Sequence, residues 1–415
     1  MDELSVEDPR PLPAQDGRVP FPLGRVCPCC PPAGYAPLRG SAPLGKVTLY
    51  DGRSAWAVTG HALACELLTD PRLSRERAGR GFPVAGGWSA RSWEEGVALV
   101  AGGGRERDVR RLLAWHLTPG RLGSLEACVE RIADRLLDAV EAQGPPAELV
   151  SSFALPMPAS VIGALLGVPE DEHGFFQACA RRLLEGGTAD EAARARGEPG
   201  CYLEELVDRK RREPGVGLLD DLMRSDAPAG PLGRDELVAL AGTLLVAGHG
   251  MAAGMISLAV FTLLGHPEHS GHPRQSAVVR AEGASMDAVV EELLRHGSVS
   301  DGVARVAVED IEVAGHTIRC GEDVVFVTPL INRDGSVFAR PDTLDWERSA
   351  RPHLAFGLGV HQCLGQELAR LELKIALRGL FGRFPGLRLD VPVGDIRLGP
   401  TAAGVAGLRE LPVAW

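Results

Sequence analysis

Phe356-Gly357-Leu358-Gly359-Val360-His361-Gln362-Cys363-Leu364-Gly365 sets one cysteine at the end of a glycine-rich loop. A cysteine usually packs as a small hydrophobe. Cys363 instead closes a glycine-rich loop and opens an apolar helical pattern over 364–381, where backbone N–H groups and the helix dipole favour a thiolate over a thiol. Gly359 and Gly365 let the backbone pass close to a flat cofactor.

Upstream of the loop, residues 332–358 carry no regular period. Runs at 306–308, 312–318 and 323–327, broken by Gly315 and Gly321, predict short strands, and 286–295 predicts a helix. Residues 235–264 are nearly all apolar, with no Asp, Glu, Lys or Arg after Glu236, which predicts a helix buried on most sides. Apolar spacing of three to four predicts further helices at 62–68, 108–115, 125–142, 158–166 and 204–212. Two alternating runs around Asp51-Gly52 predict a hairpin within 45–59. The fold class is therefore mostly α with small β-sheets, in a single large unit over 46–415 behind an extended N-terminal arm, 1–45.

That arm holds Cys27-Pro28-Cys29-Cys30, which invites a zinc reading. Zinc sites take four ligands at usable spacing, and no His or second Cys pair lies close by in sequence, so the cluster is read as plain arm. Nine cysteines, odd in number and scattered over 415 residues, fit reduced thiols in a reducing compartment. With 55 acidic against 44 basic side chains the net charge is −11, which as a whole repels nucleic acid and anionic membrane. An acidic N-terminus and the expected lack of any run of about 18–20 apolar residues point to a cytoplasmic protein that uses no membrane.

The pattern Phe-x-x-Gly-x-His-x-Cys-x-Gly resembles the haem-binding signature of the cytochrome P450 family, in its soluble bacterial form. The resemblance runs from the hairpin near Lys46 to the C-terminus and includes Arg110-Arg111-Leu112 and Asn332-Arg333-Asp334. It implies that Cys363 is the axial ligand of a haem b iron, with Phe356, Gly359 and Gly365 shaping the loop around it. It also implies that Arg110, Arg305, His353 and His361 hold the haem propionates, as cations suited to carboxylates in a partly buried site. The family's usual His four residues before the first of these is Glu106 here. Glu292-Leu293-Leu294-Arg295 resembles the family's Glu-x-x-Arg, with Arg348 as third partner, and implies a buried ion network locking the Cys363 loop.

Leu245-Val246-Ala247-Gly248-His249-Gly250-Met251-Ala252-Ala253 is similar to the oxygen-binding part of the family's central helix. Where the family has an acid and a threonine that deliver protons, this chain has Gly250 and Met251, and neither side chain can relay a proton. A water chain anchored elsewhere remains open as a substitute. The implied activity is a haem-thiolate monooxygenase acting on a small organic substrate, with a secondary-metabolite scaffold preferred and oxidative coupling or ring formation a further outcome. A different reading is a haem-bound module without turnover. No flavin or iron–sulfur motif is present, so electrons are expected from a ferredoxin and its reductase, docking where Arg107, Arg111 and Arg370 form a basic patch. A lid over 81–104, with Trp88 and Trp93, and helices over 175–207 are expected to wall the pocket.

Overall fold

Asp51-Gly52 turns the chain back early because Gly52 adopts φ +83°, a left-handed conformation without steric cost for glycine. Strands β2 (Leu44–Leu49) and β3 (Ser54–Val58) therefore pair antiparallel, with Lys46 opposite Trp56. In this computed structural model, which describes residues 18–40, 42–49, 51–75, 105–184, 189–224, 230–265, 279, 285–399 and 407–415, that hairpin seeds a six-stranded sheet. Its order is β1-β2-β3-β9-β6-β4, with β1 (Val19–Phe21), β4 (Leu73–Ser74), β6 (Val303–Ala307) and β9 (Asp323–Phe326). The expected run 312–318 is a separate hairpin, β7 (Ile311–Val313) and β8 (His316–Ile318), because Ala314 and Gly315 take φ +50° and +74° at its turn. A third sheet joins β5 (Ala147–Glu148), β10 (Arg388–Leu389) and β11 (Pro412–Ala414).

The described part of residues 1–45 is bound into this framework. Strand β1 lies parallel to β2, Tyr35 is buried, and the Arg25 guanidinium reaches Asp301 and the carbonyls of Gly297 and Ser298. The boundary expected at residue 45 falls inside β2.

Helices make up the larger layer: α1 (His61–Leu68), α2 (Arg105–His116), α3 (Pro119–Gln143), α4 (Pro156–Leu166), α5 (His173–Leu184) and α6 (Ala189–Arg212), then α7 (Leu218–Met223), α8 (Arg234–Gly265), α9 (Met286–Gly297), α10 (Thr328–Ile331) and α11 (Gln366–Arg383). Helix α6 starts well before the apolar spacing at 204–212. Its first residues are rich in Ala, Glu and Arg, strong helix formers that carry no apolar stripe for a periodicity reading to find.

Helix α8 begins with Asp235 and Glu236 against its N-terminal dipole, and Glu236 accepts a 2.7 Å hydrogen bond from the Gly233 N–H. It then runs apolar through the core, packed against α4, α6 and α11. Contrary to the sequence expectation, α8 is long and apolar enough to cross a membrane, but 61% of that window is buried inside the protein, as in a core helix. The expected lid at 81–104 lies outside the described residues.

Candidate functional site

The cysteine loop is shaped by two obligatory glycines. Gly357 and Gly359 take φ +70° and +77°, and a Cβ at Gly359 would meet the Leu68 carbonyl of α1 at 3.1 Å. The Cys363 N–H then donates to Phe356 O at 2.9 Å and closes the loop, while Arg110 of α2 donates to Gln362 O and ties the loop to a neighbouring helix. Helix α11 starts only at Gln366, because Cys363, Leu364 and Gly365 form its approach turn. A Cβ at Gly365 would meet nothing, so open space borders the thiol there. Burial of the sulfur pushes the Cys363 thiol up, while the Gly365 N–H and the charges of Arg110 and Arg370 pull it toward thiolate. Cys363 as a residue is nonetheless exposed.

Two residues before Cys363, positive charge gathers on one imidazole. His361 Nδ1 is buried and has no hydrogen-bond partner. Burial and then the charges of Arg305, Arg75 and Arg110 push the ring down to about 4, so it stays neutral. Burial and Arg75 also push the Arg110 guanidinium down. Arg305 lies in β6, and Arg75 lies one residue past the pair Ser74 and Val306 that joins β4 to β6. Arg75 escaped the sequence reading because strand pairing, which no local motif records, brings it to Arg305.

His353 does not face this cluster. Its Nε2 meets Glu291 Oε2 at 3.0 Å and its Nδ1 accepts the Ala355 N–H at 3.2 Å, so both ring nitrogens already have protein partners. Glu291 of α9 was also missed. Burial pushes its carboxyl up, but hydrogen bonds from His353 and Arg370 outweigh that and bring it down to about 2. The Glu291–Glu292 pair gave a hint in sequence, since both acids end up buried on α9.

Arg370 is thereby placed in the interior: its Nε lies 2.5 Å from Glu291 and its Nη1 3.0 Å from Glu367, and its guanidinium stacks 4.7 Å over the Phe356 ring. It therefore belongs to the frame under the loop, and the exposed cations of the expected patch are Arg107 and Arg111.

The triad Glu292, Arg295 and Arg348 is brought together. Arg295 donates twice to Glu292 at 2.7 Å, and Arg348 Nε approaches the same carboxylate at 3.3 Å. Arg295 also binds the carbonyls of Asn332 and Pro341, at 2.9 and 2.8 Å, and so fixes the irregular stretch that leads to the cysteine loop.

On α8, Met251 is 36% exposed and Ala247, one turn earlier, is also exposed, a window in the middle of a largely buried helix. Gly248 sits off that window: a Cβ there would lie 2.8 Å from Ile162 Cδ1, so it serves the close packing of α8 on α4. His249 is buried and its Nε2 lies 3.0 Å from Leu155 O. Burial holds it down to about 4, so it is a neutral donor to that carbonyl.

An exposed cysteine, open space at Gly365, and a buried imidazole nitrogen without a partner among arginines fit a flat, iron-holding group with two carboxylates. The fold and site define a haem-thiolate protein. A family model described as cytochrome P450 matches residues 191–390. Over 95% of its length and 94% of the relative, the chain is 56% identical to cytochrome P450-SOY of Streptomyces griseus. It is 53% identical to pentalenic acid synthase of Streptomyces avermitilis, covering 96% of this chain and 97% of that one. The crystal structure of CYP105D6 superposes with a TM-score of 0.84 at 44% identity, covering 95% of this chain and 98% of that one. The chain belongs to the cytochrome P450 family, and it is a monooxygenase with haem b as cofactor.

Proposed function

We propose that this enzyme oxidises a small secondary-metabolite scaffold, and that the substrate or water bound beside it, not a side chain of α8, holds the protons the reaction consumes. The observation that carries this is the window at Ala247 and Met251, with Gly250 between them and no acid or alcohol among residues 247–252. The relative named pentalenic acid synthase supports a substrate of that class.

Bound haem supplies oxygen activation at a thiolate-ligated iron. Cys363 provides the sulfur, and Phe356, Gly359 and Gly365 give the cofactor room. Arg75, Arg110, Arg305 and His361 would hold the propionates. Met251 offers an aprotic thioether, which leaves space at Gly250 for a substrate hydroxyl, an amine or a water. Without a built-in proton donor, oxidative coupling or ring formation becomes an accessible outcome beside hydroxylation. Electrons arrive from a ferredoxin and its reductase at Arg107 and Arg111 of α2, in the cytoplasm.

The double substitution Gly250→Glu with Met251→Thr tests this reading. A positioned proton donor typically contributes about 10²- to 10⁴-fold, so turnover of a surrogate substrate without hydroxyl or amine should rise by a measurable part of that range. The native substrate should gain little. Equal gains on both substrates would show instead that the relay is merely impaired.

A further inference from the structure

We propose that Cys27, Cys29 and Cys30 form a three-coordinate binding site for one soft monovalent cation, Cu(I), separate from the haem site. The three sulfurs lie within 4.8 Å of one another, and Cys27 and Cys29 are 3.5 Å apart. Three sulfurs bound at about 2.3 Å to a common metal stand about 4 Å apart. The observed spacing brackets that value, so metal entry requires only small side-chain adjustments.

The backbone explains why three residues so close in sequence converge. Pro28 sits inside a turn closed by the Cys30 N–H donating to Cys27 O at 3.2 Å, which brings Cys27 and Cys30 to one side. The turn is held from behind. Arg333 donates to Cys29 O at 2.6 Å and to His296 O at 2.9 Å, and Arg25 donates to Pro28 O at 3.4 Å and to Gly297 O at 3.1 Å. A site already held in its bound shape loses little freedom on binding.

Charge and access agree with this geometry. Side chains of Arg25 and Arg333 are only 3% and 4% exposed, so two buried guanidinium groups flank a turn that would carry a thiolate-rich, net negative complex. Cys29 is buried while Cys27 and Cys30 are partly open, which leaves a path for the ion. Binding follows Cu⁺ + 3 SH → [CuS₃]²⁻ + 3 H⁺ with no redox change.

The choice of ion follows from ligand number and softness. Thiolates select Cu(I) and zinc, but structural zinc is closed by four ligands. Among the described residues, no fourth His, Cys, Asp or Glu joins the group.

The test uses the full haem-loaded chain under anaerobic conditions, with Cu(I) offered as its complex with bicinchoninate, a coloured competing chelator. Wild type should withhold one Cu(I) per chain, and because the thiols release protons on binding, its apparent affinity should rise with pH. Cys29→Ser or Cys30→Ser should weaken binding by at least about 100-fold, while the thiolate-type carbon monoxide band of the haem stays in place and reports an intact fold. The pair Cys201→Ser with Cys320→Ser, which removes two exposed thiols elsewhere, should bind like wild type. The proposal is overturned if wild type surrenders all its copper to the chelator, if both single serine variants keep it, or if Zn(II) displaces Cu(I) from the site.

Discussion

Glu292 accepts two 2.7 Å hydrogen bonds from Arg295 one turn further along α9, and solvent reaches neither side chain. An ion pair in that setting contributes little net attraction after desolvation, but losing one partner strands the other charge. Its importance lies in what Arg295 also holds, the Asn332 and Pro341 carbonyls ahead of the cysteine loop.

Arg295→Ala should therefore cost about 3–5 kcal/mol and abolish haem incorporation, read as soluble yield and haem-to-protein ratio. Arg295→Lys should fail similarly, because an ammonium cannot reproduce the two parallel N–H bonds. Full haem loading in the lysine variant would show that charge alone suffices.

Cys363→Ser should remove the red-shifted Soret band of the reduced carbon monoxide complex, since that band requires the sulfur ligand that the proposed function assigns to Cys363. The loop itself should survive, because the Cys363 N–H, not its side chain, bonds to Phe356 O. Retention of the band in the serine variant would assign the ligand to another cysteine.

Glu291 makes a pH-dependent contribution. Its carboxyl titrates near 2 in the folded protein, below the usual 4.5, so the stabilisation is complete above about 4.5 and disappears as pH falls toward 2. Glu291→Gln should lower the thermal midpoint at pH 7, and the gap from wild type should shrink between pH 4.5 and 2. A gap that stays constant over that interval would mean the charged form contributes nothing.

Arg111 is 82% exposed on α2, with only a 3.6 Å contact to Asp108. Arg111→Glu should slow reduction by a ferredoxin and flatten its dependence on ionic strength, because steering by exposed charges is screened by salt. Arg370→Gln should act differently, lowering stability and haem retention through the loss of its bonds to Glu291 and Glu367. Stopped-flow reduction across a salt series separates the two effects.

Much of this protein could be read from short stretches of its sequence. The Cys363 loop, the apolar run of α8 and the Glu292, Arg295 pair are each written within about one helix length, where periodicity, glycine and charge spacing act locally. The substitution of Gly250 and Met251 for an acid and an alcohol is equally visible there. What only the folded chain decided involves residues that meet from far apart. The pairing of β4 with β6 sets Arg75 beside Arg305, Glu291 engages His353, and Ile162 of α4 accounts for the glycine at 248. A turn braced by Arg25 and Arg333 likewise gathers three thiols that looked like ordinary arm. A local pattern fixes which face a residue occupies on its own helix or strand, but its neighbour across the core depends on strand register and helix packing, which form only when the whole chain closes.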